Sequence, residues 1–200
     1  MLDKIVAFRE HVKDAASNED FIHHKWFVKW HLEIVEKLAI ELCGHHPEAD
    51  RSAVEVLVWL HDYGKIFDYD NQYATTLTTG RQKLSELGFP PEFVDKVVSS
   101  AETLDKKMEV DLHQAPIEVQ IVSSADGCSH MVGPFLKIFW NEATDKTFAG
   151  KEFEELMQLD RRKIDKDWNR KIVLPEARQA FEQRYKFLRE QAGEMPEKYL

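Results

Sequence analysis

Apolar positions recur along almost the whole chain at spacings of three and four, the period of a helix and not of a strand. Ile5, Phe8 and Val12 outline a first helix, and His31, Ile34, Val35, Leu38 and Leu42 a second. Cys43-Gly44 is placed to end the second with glycine in the left-handed conformation. Ser52-x-x-Glu55 has the form of a capping box and opens a helix whose apolar face is Val54, Leu57, Val58 and His61. Gly64 and the polar run from Asp68 to Gln72 predict a loop, and Leu77, Leu84 and Leu87 a helix that stops at Gly88. Pro90-Pro91-Glu92 opens a helix with Phe93, Val94, Val97 and Val98 inward, and Pro116 one through Val119, Ile121, Val122 and Asp126. Val119 to Ser123 has strand propensity, but the helical period around it prevails. Pro134 interrupts or restarts the chain. Beyond about residue 150 an acidic run meets the basic runs Arg161-Arg162-Lys163 and Arg170-Lys171, which read as a solvated, charge-paired helix face. Pro175 begins a last amphipathic helix with Ala180, Phe181, Tyr185 and Leu188. The pattern predicts an all-α chain: an N-terminal helix over 1–19, a core over 20–135, and a C-terminal helical extension over 136–200 packed on the same domain.

Composition narrows the function. Apolar residues make up 43% of the 200, enough for a core. The formal net charge of -9 repels phosphate backbones and argues against a duplex nucleic acid partner. A small phosphorylated substrate stays open, because a bound cation reverses the field locally. No apolar run approaches the about 18 residues that span a bilayer, and Met1-Leu2-Asp3-Lys4-Ile5 lacks the form of a signal peptide. Two cysteines without a C-x-x-C motif read as reduced thiols. The expectation is a soluble, cytoplasmic protein with no membrane partner.

Candidate chemistry sits on the helical faces. His31 and His61 share faces with aliphatic residues, and a buried imidazole without partners costs about 1–3 kcal/mol. Asp62 and Asp126 close apolar helices, where an unpaired carboxylate is worse. Two imidazoles and two carboxylates suit one divalent ion of Mn, Fe, Co, Ni or Zn, and a carboxylate-rich site also takes Mg. Lys65, three residues after Asp62, is in range of a phosphate beside such an ion. Arg81 could grip a phosphate oxygen with its fork. Glu102 or Asp105, after the Val94-Val97-Val98 face, could orient an attacking water, although an exposed helix end explains both acids as easily. His130 lies one turn beyond Asp126, as a proton donor, a substrate contact or a structural histidine. His23-His24 and His45-His46 are poor metal pairs, since neighbours on a helix point apart. Trp26, Phe27 and Trp30 read as packing.

His31-x-x-x-Val35-x-x-x-Ala39, then Leu57-Val58-Trp59-Leu60-His61-Asp62-Tyr63-Gly64-Lys65, then Ser124-Ala125-Asp126-Gly127 resemble, in order, the ligand motifs of the HD superfamily of metal-dependent phosphohydrolases. The resemblance spans roughly residues 20 to 135. It implies an HD-domain helical bundle with one divalent metal ion held by His31, His61, Asp62 and Asp126. It implies hydrolysis of a phosphomonoester or nucleotide by a metal-activated water, with Asp62 and Lys65 catalytic and Lys65 on the substrate phosphate; Arg81, Glu102 and His130 are expected on the substrate from their own positions in the chain. Many two-metal members carry further histidines where Thr76 and Ser99 or Ser100 stand here, so one metal is expected. Two alternatives remain: an iron oxygenase on the same fold, and a non-catalytic helical ligand-binding or regulatory module. The C-terminal region from about 140 could cover the site, build a homodimer interface or merely pack.

Overall fold

The computed structural model describes residues 1–133, 151–195 and 197–198; Pro134 and the first part of the C-terminal extension lie outside them. All regular structure among the described residues is helical, Val119 to Ser123 included. The helices are α1 Leu2–Ala16, α2 Glu33–Cys43, α3 Arg51–Leu60, α4 Gly64–Phe67, α5 Gln72–Thr75, α6 Arg81–Glu86, α7 Pro91–Asp105, α8 Ile117–Ser129, α9 Phe153–Lys166 and α10 Pro175–Gln191. Wider π-helical turns at Val28–Leu32, Thr76–Gly80 and Asp167–Lys171 join α2, α6 and α9. No helix among the described residues is long and apolar enough to cross a membrane.

The centre is α3. Residues Ala53, Val54 and Val56 to Leu60 are all buried, so this helix is apolar on every side, as an enclosed helix must be. It is ringed by α1, α2, α7 and α8. The most extensive helix contact joins α2 to α8, and α8 is buried from Ile121 to Ser129. Small side chains make that possible: Ser123, Ser124, Ala125, Gly127 and Ser129 let neighbours approach its backbone closely.

Local signals differ from expectation at two helix ends. The α3 N-cap is Asp50, whose carboxylate accepts from Ala53 N at 3.1 Å, and not Ser52. Asp50 also holds Lys96 (3.2 Å), and its backbone N–H donates to Glu118 of α8 (3.1 Å), so the cap doubles as a tie between three helices. Gly44 stays right-handed at φ -64, whereas Gly88, after α6, is left-handed at φ 74. Gly64 is needed for space. A Cβ there would lie 1.9 Å from the Gln72 carbonyl oxygen, so only glycine lets α5 close over the turn that follows α3.

The C-terminal extension packs on the core through the Asp167–Lys171 turn and α10, both against α8. Here Gly127 matters: a Cβ would meet Ile172 Cγ1 at 2.7 Å and Lys171 Cβ at 3.0 Å. Its α10 packs through Ala177, with Phe181, Tyr185 and Leu188 partly buried; Ala180 is exposed.

Candidate metal centre

Three packed helices deliver the side chains. His31 projects from the π turn that leads into α2, His61 follows the last residue of α3 with Asp62 next in the turn, and Asp126 comes from α8. His31 Nε2 lies 3.3 Å from Asp62 Oδ2 and 3.9 Å from Asp126 Oδ1. His61 Nε2 lies 3.6 Å from Asp62 Oδ2. Donors around one ion with bonds near 2.1 Å stand about 3.0–4.2 Å apart, and these distances fall inside that range. Two groups of donor atoms lie within 4.8 Å of one another: His31, His61 and Asp62, and His31, Asp126 and His130. His31 belongs to both.

Hydrogen bonds fix the orientation of both rings. His61 Nδ1 donates to the Val58 carbonyl at 2.7 Å, which leaves a lone pair on Nε2. That atom is buried without a hydrogen-bond partner. Ser129 Oγ donates to the Asp126 carbonyl at 2.7 Å, so it receives the Nδ1 proton of His31 at 3.2 Å, and His31 Nε2 also presents a lone pair. Two imidazole lone pairs then face one carboxylate oxygen across 3.3 and 3.6 Å. A divalent ion placed between these atoms would draw on both imidazoles and the carboxylate. Backbone and hydroxyl groups that fix the second nitrogen of each ring are the supports a metal-binding histidine needs. The donor set fits a divalent ion.

Cations surround the carboxylates. Lys65 Nζ donates to Asp62 Oδ2 at 2.6 Å, and Lys171 Nζ to Asp126 Oδ2 at 2.6 Å. Burial alone would raise both carboxyls, but Lys65 beside Asp62 and Lys171 beside Asp126 hold them well below the usual range. Burial lowers the His61 imidazole. At neutral pH Asp62, Asp126 and His61 are therefore deprotonated, the state in which such groups ligate a metal. Behind Asp126, His130 Nδ1 lies 2.9 Å from Asp167 Oδ2 and 2.9 Å from Lys163 Nζ, with its Nε2 3.4 Å from Asp126 Oδ1. Lys163 is paired with Asp167 and pushed down to about 8 by burial. Stability does not explain such a cluster. Replacing buried ion pairs by apolar side chains is often neutral, or stabilising by about 1–4 kcal/mol.

A cavity of about 280 Å³ opens on His31, Asp62 and His130, and Lys65, Lys107, Lys163, Lys166 and Lys171 line it. Trp26, Phe27, Tyr69 and Tyr73 form another part of its wall. Trp30 is partly exposed. Of the residues expected around a substrate, Lys65 and His130 line this cavity and Arg81 and Glu102 do not. Arg81 pairs with Asp95 on the exposed side of α6, and Glu102 with Lys106 at 2.6 Å. His46 pairs with Glu176 at 2.6 Å, far along the chain and outside the centre. Thr76 accepts from Gly64 N at 2.9 Å, and Ser100 donates to the Lys96 carbonyl at 2.8 Å, so both hydroxyls serve the backbone.

Sequence reasoning missed Lys107, Lys163, Lys166, Asp167 and Lys171. The basic run near Arg161 is not simply a solvated face, because Lys163 turns inward. A signal was present: Lys163, Asp167 and Lys171 repeat at i, i+4 and i+8, next to Ile164 and Trp168 and just before Ile172-Val173-Leu174. Alternating charge on one stripe of a helix that ends in an apolar run marks a buried ion network.

Comparisons with curated proteins and with solved structures gave no match. The family model for the HD domain matches residues 30–131, just over half of the chain, from the residue before His31 to five beyond Asp126. Proteins of this family are generally metal-dependent hydrolases and usually bind divalent metals. With the match enclosing His31, His61, Asp62 and Asp126, this chain belongs to the HD domain family.

Proposed function

We propose that this protein is a metal-dependent phosphohydrolase acting on a phosphomonoester or nucleotide, with one divalent ion held by His31, His61, Asp62 and Asp126. The observation that carries the reading is the cavity at the donors: five lysines and one carboxylate, Asp62, among its lining residues, in a chain of net charge -9. Concentrating cations against the overall charge selects an anion locally. The volume, about 280 Å³, is near the lower end of small-molecule pockets. The aromatic wall of Trp26, Tyr69 and Tyr73 supports a base or another flat group beyond the phosphate.

A divalent ion held by His31, His61, Asp62 and Asp126 would supply Lewis acidity toward a phosphoryl oxygen and a water. The chain supplies the remainder. Val58 and Ser129 hold the imidazoles in one tautomer. Lys65, anchored on Asp62, stays charged because that carboxylate outweighs its burial, and it offsets charge on the bound phosphate. Lys163, Lys166 and Lys171 bind further phosphate oxygens from the opposite wall. His130, on the same cavity, contacts the substrate. The iron oxygenase and binding-module alternatives have no comparable observation in their favour.

The test is metal content followed by turnover. Protein purified without added metal or chelator should carry about one divalent ion per chain, and it should release phosphate from a panel of phosphomonoesters and nucleotides. Asp62→Ala should bring metal-dependent release to background and leave the helical circular dichroism nearly unchanged. Wild-type-like turnover in that variant would sink the reading.

A further inference from the structure

We propose that Asp105 is a further catalytic residue of this centre, holding the attacking water through Oδ2 and accepting its proton, an assignment that rests on the hydrolase reading above. Asp105 is the last residue of α7. An acid there stands against the helix macrodipole, and no basic residue occupies the last turn to offset it. Its Oδ2 is buried and makes no hydrogen bond. The same is true of His61 Nε2, and both residues line one small cavity with Asp62, Ser123 and Asp126. That cavity measures about 10 Å³, the room one water takes. Ser123 donates its hydroxyl to the Lys171 carbonyl at 2.9 Å, so its proton is committed elsewhere. Two orphaned acceptors, one at the metal donors and one on α7, therefore look onto a space for a single water.

Glu102, one turn earlier, offers the contrast. It was the other acid able to orient a water on sequence grounds, but its side chain is half exposed and bonded to Lys106. Of the two, Asp105 has a carboxylate oxygen buried in the cavity beside the donors. In the step itself, the water oxygen bonds to phosphorus and the P–O ester bond breaks, its electron pair leaving on the ester oxygen. One water proton passes to Asp105, the leaving oxygen takes a proton from solvent, and Asp105 later returns its own to solvent. Burial raises the Asp105 carboxyl to about 7; Lys107 and Lys65 oppose the rise, and Asp62 and Glu102 add to it. A base of that strength is matched to neutral conditions.

The test is Asp105→Asn in the full chain, with Co²⁺ as the probe metal. Co²⁺ affinity, by competition with a chromophoric chelator, should stay within about 3-fold of wild type. Turnover should fall by about 100-fold or more with KM changed by less than about 3-fold, and the acidic limb of the pH–rate profile should vanish; Asp105→Glu should restore part of both. Independently of turnover, the pH midpoint of the Co²⁺ visible spectrum should shift by about one unit. Turnover within 3-fold of wild type, or an unshifted midpoint, overturns the assignment. An affinity loss beyond 10-fold also overturns it, because Asp105 would then be a ligand. If the wild-type protein hydrolyses nothing in the panel, the hydrolase reading fails on its own, and the spectral midpoint alone still decides whether Asp105 governs that cavity.

Discussion

The two walls of the candidate centre are built differently. One wall comes from the core, α2, α3 and α8, and presents His31, His61, Asp62 and Asp126. The other comes from the extension, the end of α9 and its π turn, and presents Lys163, Asp167 and Lys171. The core wall supplies the candidate donors, and its two imidazoles are held from within the core, His61 by the Val58 carbonyl three residues away and His31 by the Ser129 hydroxyl of α8. The extension wall supplies cations whose partners lie across the interface, such as Asp126 for Lys171, 45 residues apart. A metal centre needs donors at fixed geometry, and helices packed and braced within the core provide it. Recognition of an anion needs charge at approximate places, and a covering segment can provide that.

Swapping lysines tests the difference most strongly. Lys171→Met strips Asp126 and Asp167 of a buried partner, and breaking such a pair costs about 3–5 kcal/mol. Urea unfolding should show this loss in chelator and partial recovery with saturating divalent metal, which would neutralise Asp126. Lys65→Met should cost less than half as much, because the Lys65 side chain is 27% exposed against 7% for Lys171. Equal costs would mean that the two walls are not distinct.

Bracing of the core wall is the next handle. Ser129→Ala removes the partner of His31 Nδ1 without touching a donor atom, and metal affinity should fall about 10-fold, measured by chelator competition. An unchanged affinity would show that packing alone orients His31. Asp105 supplies a smaller effect, on stability. Its carboxyl is raised by burial from the ordinary 3.8 to about 7, so between those values the folded chain keeps a proton the unfolded chain has lost. Stability must then fall as pH rises through that window and level off above it. In chelator, the Tm of wild type relative to Asp105→Asn should drop from pH 4 to pH 7; a flat difference would contradict the buried carboxyl. The smallest effect is expected at Arg81, which belongs to neither wall. Arg81→Ala should leave phosphate release within 2-fold, whereas Lys166→Ala, on the cavity rim, should raise KM several-fold.

Much of this was legible in the chain. Leu57, Val58 and His61 share a face because 3.6 residues make a turn, so an inward imidazole followed by a carboxylate could be read without coordinates. Helix starts at Pro91 and Pro116 and the stop at Gly88 follow from local backbone chemistry in the same way. Where two local signals competed, the choice was tertiary. Ser52 has the right spacing for a cap, but Asp50 takes the role because Lys96 and Glu118 hold it from α7 and α8. Asp105 and Glu102 have the same chemistry one turn apart, and only the packing of α7 turns a carboxylate oxygen of Asp105 into the cavity beside the donors and leaves Glu102 on Lys106.

By itself, then, the sequence determined the helices, their inward faces and the four candidate donors on those faces, since a side chain's face on a helix depends on residues within a turn or two of it. The tertiary structure alone decided which lysines face the donors, which acid has an oxygen buried beside them, and that the extension forms the second wall. Those outcomes depend on long-range burial, and a lysine at 171 is written identically whether it ends in water or on Asp126.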